Sequence, residues 1–483
     1  NTTGDFNVAI GPTAMSGASL TGNDNIAIGR DAADALAGGA CNIAIGMNAY
    51  GSSSGGAFNV AIGETAMGSS TVAGTDNIAI GQNTLDSLTT GAHNIMLGLN
   101  TGGGITDDNY SIAIGRDAFT AGTGWNTIAM GYSAIGAGAT TGSDNISLGN
   151  TSSNALTSGN KNVAIGCKAL QGMTCGELNV AIGACAIGAS SATTTSSSIA
   201  IGQNAMAGGI TGPHNIAIGY SAADALTSGE VNIAIGKDAL GASTTTCSNI
   251  AIGKCAFGCG VMTGDNNNIA IGTNAGCLQQ GNNVNNTFVG AGAGQNVTTG
   301  SQLVGLGKYA LCNNDFEATT HANIIQLGDQ NILCFLVACP LSVPSDCRDK
   351  TDVSDLDLGL DYIKALRPVY YRWDKRGYYD TFADGFKTDE DRNLFINYQT
   401  DGSKKRQKWE VGLLAQEALA AEKEYTSKRQ VLDPEFGIPD ADEGLLVSGT
   451  NNTSYKMSYE KLVPPLIKAV QELSTKVEAL ESG

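Results

Sequence analysis

The chain of 483 residues is poor in charge, and the charge that it carries is mostly of one sign. Only 27 Lys or Arg stand against 45 Asp or Glu, which gives a net charge of −18. A general nucleic-acid binder needs a basic face that displaces counterions. Apolar runs are also short: the longest, residues 331–340, has the length of a strand, whereas a membrane span needs about 18 apolar residues. We therefore expect neither a nucleic-acid partner nor membrane insertion.

Metal-ligating patterns are scarce as well. The sequence has three histidines, His93, His214 and His321, and no Cys-x-x-Cys pair with a second such pair or a His pair, which a structural zinc site requires. The Gly-Gly-x-Gly-x-Asp repeat of calcium-binding rolls is missing. We expect no metal and no cofactor.

The charges that are present divide the chain near residue 345. Residues 1–344 contain 7 Lys or Arg and 19 Asp or Glu, whereas residues 345–483 contain 20 and 26. The first part is rich in Gly, Ala, Thr and Ser. We therefore expect a repeat shaft over residues 1–310, junction strands over 311–344 and a separate domain over 345–483.

The first part repeats one unit, Asn-Ile-Ala-Ile-Gly-x-x-Ala, followed by a turn rich in Thr, Ser and Gly. Intervals of 16 to 19 residues, about 17 on average, have the length of one β-solenoid rung and are too short for a helical hairpin. The first apolar position of the unit, with a weaker last copy, falls at Val8, Ile26, Ile43, Val60, Ile78, Ile95, Ile112, Ile128, Ile146, Val163, Val180, Ile199, Ile216, Ile233, Ile250, Ile269, Thr287, Val304 and Ile325.

Alternation within the unit predicts a short strand with two different faces. Ile26 and Ile28 share one face and Ala27 takes the other. We expect Gly29 to end the strand with a positive φ or a close approach to a neighbour, and Ala33 to make a second inward contact. Stacked units would bury a continuous apolar column.

These units resemble the head repeats of trimeric autotransporter adhesins, which have a similar Val-Ala-Ile-Gly core, and repeats in the shafts of phage tail fibres. The resemblance covers about residues 5–310, although the period is longer here than in most adhesin heads. It implies a parallel β-roll and a homotrimer of chains packed side by side. The small Ala27, opposite the isoleucines, would suit close approach between protomers.

The last part of the chain contains three ordered blocks, at residues 343–350, 359–373 and 411–417, and a terminal segment at 459–473. Together they resemble the endosialidase-type intramolecular chaperone domain, a self-cleaving module at the C-terminus of phage tail spikes and fibres. The resemblance implies that this domain helps three chains to assemble. It also implies a cut between Pro344 and Ser345, the first residue of a Ser-Asp pair completed by Asp346.

The residues of this segment support such chemistry. A serine hydroxyl becomes a nucleophile when a base removes its proton. No histidine lies between residues 345 and 483, so Lys350 is the available base, and its spacing from Ser345 matches the family. Arg348 would raise the local positive potential or hold the scissile carbonyl. Asp349 stands where the family commonly has an apolar residue. The alternative is that Ser345 caps the first turn or helix of the domain and that Lys350 is a solvated charge.

The end of the chain predicts a trimerisation helix. Pro464 and Pro465 mark its start, and its apolar residues step by four and three as in a coiled-coil seam. One amphipathic helix packed on its own domain is the alternative. The seam residues are Leu466, Val470, Leu473, Val477 and Leu480.

Cysteines of neighbouring rungs fall near each other. Cys259 and Cys277 lie one repeat position apart on adjacent rungs, within disulfide reach, and an extracellular location would permit the bond. The alternative is that both are free cysteines used as small buried residues.

The fold class is thus mainly β: a trimeric parallel β-solenoid shaft of about 17-residue rungs, then a small α+β chaperone domain ending in a coiled-coil helix. The predicted function is that of a viral fibre, of a tailed phage, that attaches to a host-surface glycan or protein. Its location would be the virion surface or the extracellular space. Any enzymatic activity would be a single-turnover autocatalytic serine peptidase. The alternatives are a cellular trimeric adhesin or extracellular filament subunit, and a glycan-degrading tailspike.

Overall fold

The structure is a computed structural model that divides into two compact units, residues 1–312 with 318–329 and residues 313–317 with 330–483. Each unit has its own apolar core. Among the described residues, no helix is both long and apolar enough to cross a membrane. The residues that the structure describes are 3–17, 19–188, 194–312, 322–329, 332, 336, 345, 348, 350–351, 353–374, 397–432, 447–450 and 454–482.

The first unit is a solenoid in which each rung contributes one strand to a single 19-stranded sheet. Each strand pairs in parallel with that of the next rung, in register: Ala9 lies opposite Ala27, and Ala27 opposite Ala44. Every position predicted from the repeat begins one of these strands. They are β1 (Val8–Ile10), β2 (Ile26–Ile28), β3 (Ile43–Ile45), β4 (Val60–Ile62), β5 (Ile78–Ile80), β6 (Ile95–Leu97), β7 (Ile112–Ile114), β9 (Ile128–Met130), β11 (Ile146–Leu148), β12 (Val163–Ile165), β13 (Val180–Ile182), β14 (Ile199–Ile201), β15 (Ile216–Ile218), β16 (Ile233–Ile235), β18 (Ile250–Ile252), β20 (Ile269–Ile271), β21 (Thr287–Val289), β22 (Val304–Leu306) and β23 (Ile325–Leu327).

Four further strands form two small parallel pairs beside the main sheet. They join neighbouring rungs where the chain between two main strands is extended. These strands are β8 (Phe119–Gly122), β10 (Ile135–Thr140), β17 (Thr245–Cys247) and β19 (Thr263–Asp265). The predicted parallel solenoid of about 17-residue rungs is therefore confirmed.

The two faces of each strand are used in the reverse of the expected way. Ala27 is fully buried inside the rung, whereas Ile26 is only partly buried and Ile28 is 36% exposed. The same inward Ala and outward Ile pattern recurs along the sheet. The expectation that Ala27 lies on an outer face, for close approach between protomers, is wrong. Alanine lines the core, and isoleucine forms two columns on the outside.

The width of the rung explains why alanine lies inside. In many rungs the residue after the second inward Ala is large and fully buried, as with Tyr50 and Met67, which leaves little space for the inward residue of the strand. Phe288 reverses this arrangement, because Gly294 stands across from it: a Cβ on Gly294 would lie 2.5 Å from a ring carbon of Phe288. The predicted inward contact of Ala33 is confirmed, since it is 1% exposed.

The glycine that ends each strand is required by backbone geometry. Gly29 has φ +136°, a region open to glycine alone, and a Cβ there would lie 2.5 Å from the carbonyl oxygen of Gly46 on the next rung. Both predicted reasons for this glycine, positive φ and close approach, are confirmed.

A ladder of buried asparagines runs beside the sheet. The backbone N–H and the side-chain amide of Asn42 both donate to Oδ1 of Asn25, at 2.9 and 3.1 Å, and Nδ2 of Asn42 also donates to the carbonyl of Gly56. The ladder thus satisfies backbone groups that would be buried without partners at the rung corner. Ser111 and Ser198 replace asparagine in two rungs and continue the ladder. Their N–H groups donate to the preceding asparagine, and their hydroxyls accept the next backbone N–H.

The second unit is a small α+β domain that ends in a helix, as the predicted fold class has it. Its core contains Leu358, Tyr362, Ala418, Leu419 and Val447. Strands β24 and β25 pair antiparallel, as do β26 and β27. The elements in chain order are α1 (Leu360–Ala365), β24 (Val369–Tyr371), β25 (Glu410–Gly412), α2 (Ala415–Leu432), β26 (Val447–Thr450), β27 (Ser454–Met457), a 3₁₀ turn (Tyr459–Leu462) and α3 (Val463–Glu481).

Candidate functional site

The structure brings together the two residues predicted to carry the chemistry. Nζ of Lys350 lies 2.6 Å from Oγ of Ser345 and donates a hydrogen bond to it. This distance allows direct proton transfer between the hydroxyl and the amine once the lysine is neutral. Both side chains are exposed, as is that of Arg348, which was predicted to support them. Pro344 and Asp346 lie outside the described residues.

The pair precedes a helix that is held in place from the far end of the domain. Helix α1 has Gly359 as its N-cap residue and no side-chain cap of its own. Instead, Glu472 of α3 accepts a hydrogen bond from the backbone N–H of Leu360, at 2.9 Å. A Cβ on Gly359 would collide with this carboxylate. The glycine and the distant glutamate therefore act together to cap α1.

A second link joins the end of α1 to α2. The guanidinium of Arg367 donates two hydrogen bonds to the carboxylate of Glu417. These bonds hold the pKa of the Glu417 carboxyl below its usual range. Since both groups are exposed, the pair orients the two elements more than it stabilises them.

The buried part of the domain contains a tyrosine beside an acid. Tyr362 is fully buried and packs edge-on against Tyr425 at 5.7 Å. Burial raises the pKa of Tyr362, and the nearby charge of Glu422 raises it further. The phenol therefore stays neutral and packs as a core residue.

The predicted seam of the last helix lies on the surface of the chain. Within α3, Pro465 and Ala469 are buried against the domain. The five seam residues are instead exposed, from 44% for Val477 to 83% for Leu480. The helix therefore has one face packed on its own domain and an apolar face free for another chain. The seam is formed by Leu466, Val470, Leu473, Val477 and Leu480.

In the solenoid, the structure pairs Cys259 with Cys277 as a disulfide, with their Cα atoms 5.2 Å apart. The bond closes 18 residues, the length of one rung. It connects two adjacent levels near the C-terminal end of the sheet.

Sequence reasoning missed two groups that the structure places in important positions. The asparagine ladder had a signal, because Asn precedes the first apolar residue in most repeats. Glu472 had none, since it caps a helix that begins 112 residues earlier.

The fold and the site together define a class of protein: a parallel β-solenoid followed by a small α+β domain with a Ser–Lys pair at its start. Residues 345–426 match the family model described as chaperone of endosialidase, and the match begins at Ser345. The chain therefore carries an endosialidase-type chaperone domain behind its solenoid. A search of curated proteins finds no match to the chain.

Proposed function

We propose that this chain forms the homotrimeric fibre of a tailed phage, that the solenoid reaches and binds a glycan or protein of the host surface, and that the C-terminal domain promotes trimer assembly and then cuts itself off before Ser345. The observation that carries the proposal is the 2.6 Å contact between Ser345 and Lys350, located where the match to the chaperone family begins.

Two apolar surfaces support assembly with further copies of the chain. The outward isoleucines of the sheet form two continuous columns, typified by Ile26 and Ile28. Soluble monomers rarely expose apolar patches of this length. The seam of α3 is a second exposed apolar surface, with the spacing of a coiled-coil contact. Three chains packed around one axis would cover both surfaces.

The proposed cut follows from the chemistry of the pair. Neutral Lys350 takes the proton of the Ser345 hydroxyl while Oγ attacks the carbonyl carbon of Pro344. The bond from that carbon to the Ser345 nitrogen breaks, and the nitrogen leaves as an amine after receiving the proton from Lys350. Water then hydrolyses the ester formed on Oγ, which restores the hydroxyl and leaves a carboxylate on Pro344. Each chain reacts once.

Intact-mass measurement of the purified protein tests the cut. Wild type should yield two pieces that meet at Pro344 and Ser345, whereas Ser345→Ala and Lys350→Ala should stay at the full 49.2 kDa. Ser403→Ala, which changes an exposed serine elsewhere in the domain, is the matched control and should cut normally. A wild type that stays intact, or a Lys350→Ala variant that still cuts, contradicts the proposed dyad.

Assembly and attachment have their own tests. Light scattering after gel filtration should give three times the chain mass for the solenoid. Binding of that trimer to bacterial cells, lost after the cells are stripped of surface polysaccharide or protein, would identify the receptor class. A monomer contradicts the fibre. Release of sugar from the polysaccharide would favour a glycan-degrading tailspike instead.

A further inference from the structure

The isoleucine columns pose a problem of alignment between copies. Nearly every rung presents a strand with two outward apolar residues, most often as Ile-Ala-Ile or Val-Ala-Ile, so the apolar strip is similar at each level. Sliding one copy past another by one rung, about 4.8 Å, would leave the contacts of the strip almost unchanged. Correct alignment therefore depends on residues that differ from rung to rung.

Two variable columns border the strip. The leading column contains the residue directly before the ladder position of each rung, and the trailing column contains the residue directly after the closing glycine. In one rung these are Asp24 and Arg30, which are exposed on either side of the partly buried Ile26 and exposed Ile28. Other examples from the leading column are Phe58, Asp76, Tyr110, Asp144 and Lys161, and their trailing partners six residues later are Glu64, Gln82, Arg116, Asn150 and Cys167.

Leading residues lie at a fixed corner of the rung. Asp24, Asp76 and Tyr110 have φ of 60°, so the chain bends at the same place in each rung and the side chains stack along the solenoid. His93 and Tyr110 on neighbouring rungs stack with ring centroids 4.9 Å apart. The column is therefore an ordered edge of the apolar strip.

Threefold symmetry determines which edges meet. If three copies turn their strips toward one axis, the leading edge of each copy faces the trailing edge of the next, because a cyclic contact joins two different surfaces. Without axial displacement, residues of the same rung meet. This step rests on the trimer of the proposed function.

We propose that the two columns set the register of the trimer, with a second copy of this chain as the partner. In register, Asp24 meets Arg30 of opposite charge, and Tyr110 meets Arg116, which suits a cation–π contact. No pair in the same rung brings two like charges together. Displacement by one rung in one direction instead sets Asp76 against Glu64, two carboxylates. Displacement in either direction also separates Asp24 from Arg30.

The energies suit a role in alignment more than in affinity. An exposed ion pair contributes at most about 1 kcal/mol, so the apolar strip supplies most of the attraction. Complementary charges in register favour one of the alignments that the strip leaves nearly equal, and the two carboxylates Asp76 and Glu64 disfavour displacement in one direction.

A cysteine placed across the edge from a native cysteine tests the register. Lys161 and Cys167 share a rung, so Lys161→Cys should bond to Cys167 of the neighbouring copy. Cys175 and Cys185 are replaced by serine to prevent side reactions. Within one chain the pair is too distant, because strand β12 (Val163–Ile165) separates the two residues, and its three residues alone span roughly 10 Å, more than the ~7 Å that a disulfide allows between Cα atoms. The matched variant Asp144→Cys lies one rung away and should not bond.

The measurement is the fraction of covalent trimer on a non-reducing denaturing gel, with light scattering to establish that each variant is a trimer before oxidation. Lys161→Cys should cross-link most of the protein, whereas Asp144→Cys and Leu178→Cys, one rung to either side, should cross-link at least tenfold less. If Asp144→Cys or Leu178→Cys cross-links in place of Lys161→Cys, the proposed register is wrong, although the proposed trimer still holds. If all three variants are trimers and none of them cross-links, the leading and trailing edges do not meet. If the protein is a monomer, the proposed fibre is wrong as well.

Discussion

Asp108 is a buried carboxyl whose ionisation should destabilise the fold, and a single substitution should remove this cost. Its side chain is fully buried. Oδ1 accepts a hydrogen bond from the backbone N–H of Asn109 at 2.9 Å, while Oδ2 has no hydrogen-bond partner among the described residues. Burial raises the pKa of Asp108 from 3.8 to about 7; hydrogen bonds from Ser111 and Asn109 lower it in part, and the charge of Asp107 raises it.

The sign and size of the effect follow from this raised pKa. The folded state holds the proton more tightly than the unfolded state, so the fold has its full stability below about pH 4 and loses stability as the pH rises toward 7. A tenfold change in proton affinity corresponds to about 1.4 kcal/mol, so a rise in the pKa from 3.8 to about 7 corresponds to a penalty of about 4 kcal/mol above pH 8. Asp108→Asn keeps the shape and the acceptor but cannot ionise.

Hydrogen exchange of the amides in β7 (Ile112–Ile114), read as the ratio of variant to wild type at each pH, measures the local gain. Exchange in Asp108→Asn should slow by at least tenfold at pH 8 and should be nearly unchanged at pH 4. Asp107→Asn changes the neighbouring exposed carboxylate and should shift exchange little at either pH. Equal ratios at the two pH values, or faster exchange at pH 8, would refute the assignment of a buried charge.

Other substitutions probe the geometry of the rung. Gly29→Ala should lower the free energy of unfolding by about 1–3 kcal/mol, because φ +136° is strained for alanine and its Cβ would collide with the next rung. The control is Gly38→Ala, where the nearest atom to the new Cβ lies at 3.8 Å. Equal melting temperatures for the two variants would contradict this prediction. Asn59→Ala should lower the free energy of unfolding by about 1–3 kcal/mol for each buried group that loses its hydrogen bond. A melting temperature equal to that of wild type would show that this part of the ladder is dispensable. Peptide mapping without reductant should recover Cys259 joined to Cys277, and Cys277→Ser should destabilise the C-terminal rungs by about 3 kcal/mol; recovery of two free thiols from wild type would contradict the bond.

The repeat was readable from the sequence because its determinants are local. Each strand needs only an alternating Ile-Ala-Ile and a closing glycine, and all the predicted strand positions were correct. The Ser345 and Lys350 contact spans five residues, and it was anticipated from the lack of a histidine in this segment together with the resemblance to the chaperone family. Features that depend on contacts between distant segments, such as Glu472 capping α1, leave no mark in a local pattern.

Which face of the strand lies inside could not be read in the same way. Alternation shows that Ile26 and Ala27 point in opposite directions, but the space inside a rung depends on what fills it from the other side. Tyr50 and Met67 are buried in their rungs, where the strands contribute the buried Ala44 and Ala61. Hydrophobicity favours isoleucine inside, whereas volume favours alanine, and in this narrow solenoid volume decides.

Alanine inside and isoleucine outside give a physical reason for an assembly domain. A single solenoid leaves its outward isoleucine columns partly exposed, so one chain would gain stability when the other copies of the proposed trimer cover them. Because strands such as β2 and β3 (Ile43–Ile45) are alike, copies of the proposed trimer could also meet at false alignments. The proposed chaperone would hold three C-termini together through the seam of α3. Pairing would then begin at one end, where a single alignment is available, and extend rung by rung along the solenoid. Once the columns are covered, the domain would have no further contact to supply, and the proposed cut before Ser345 would make the assembly irreversible.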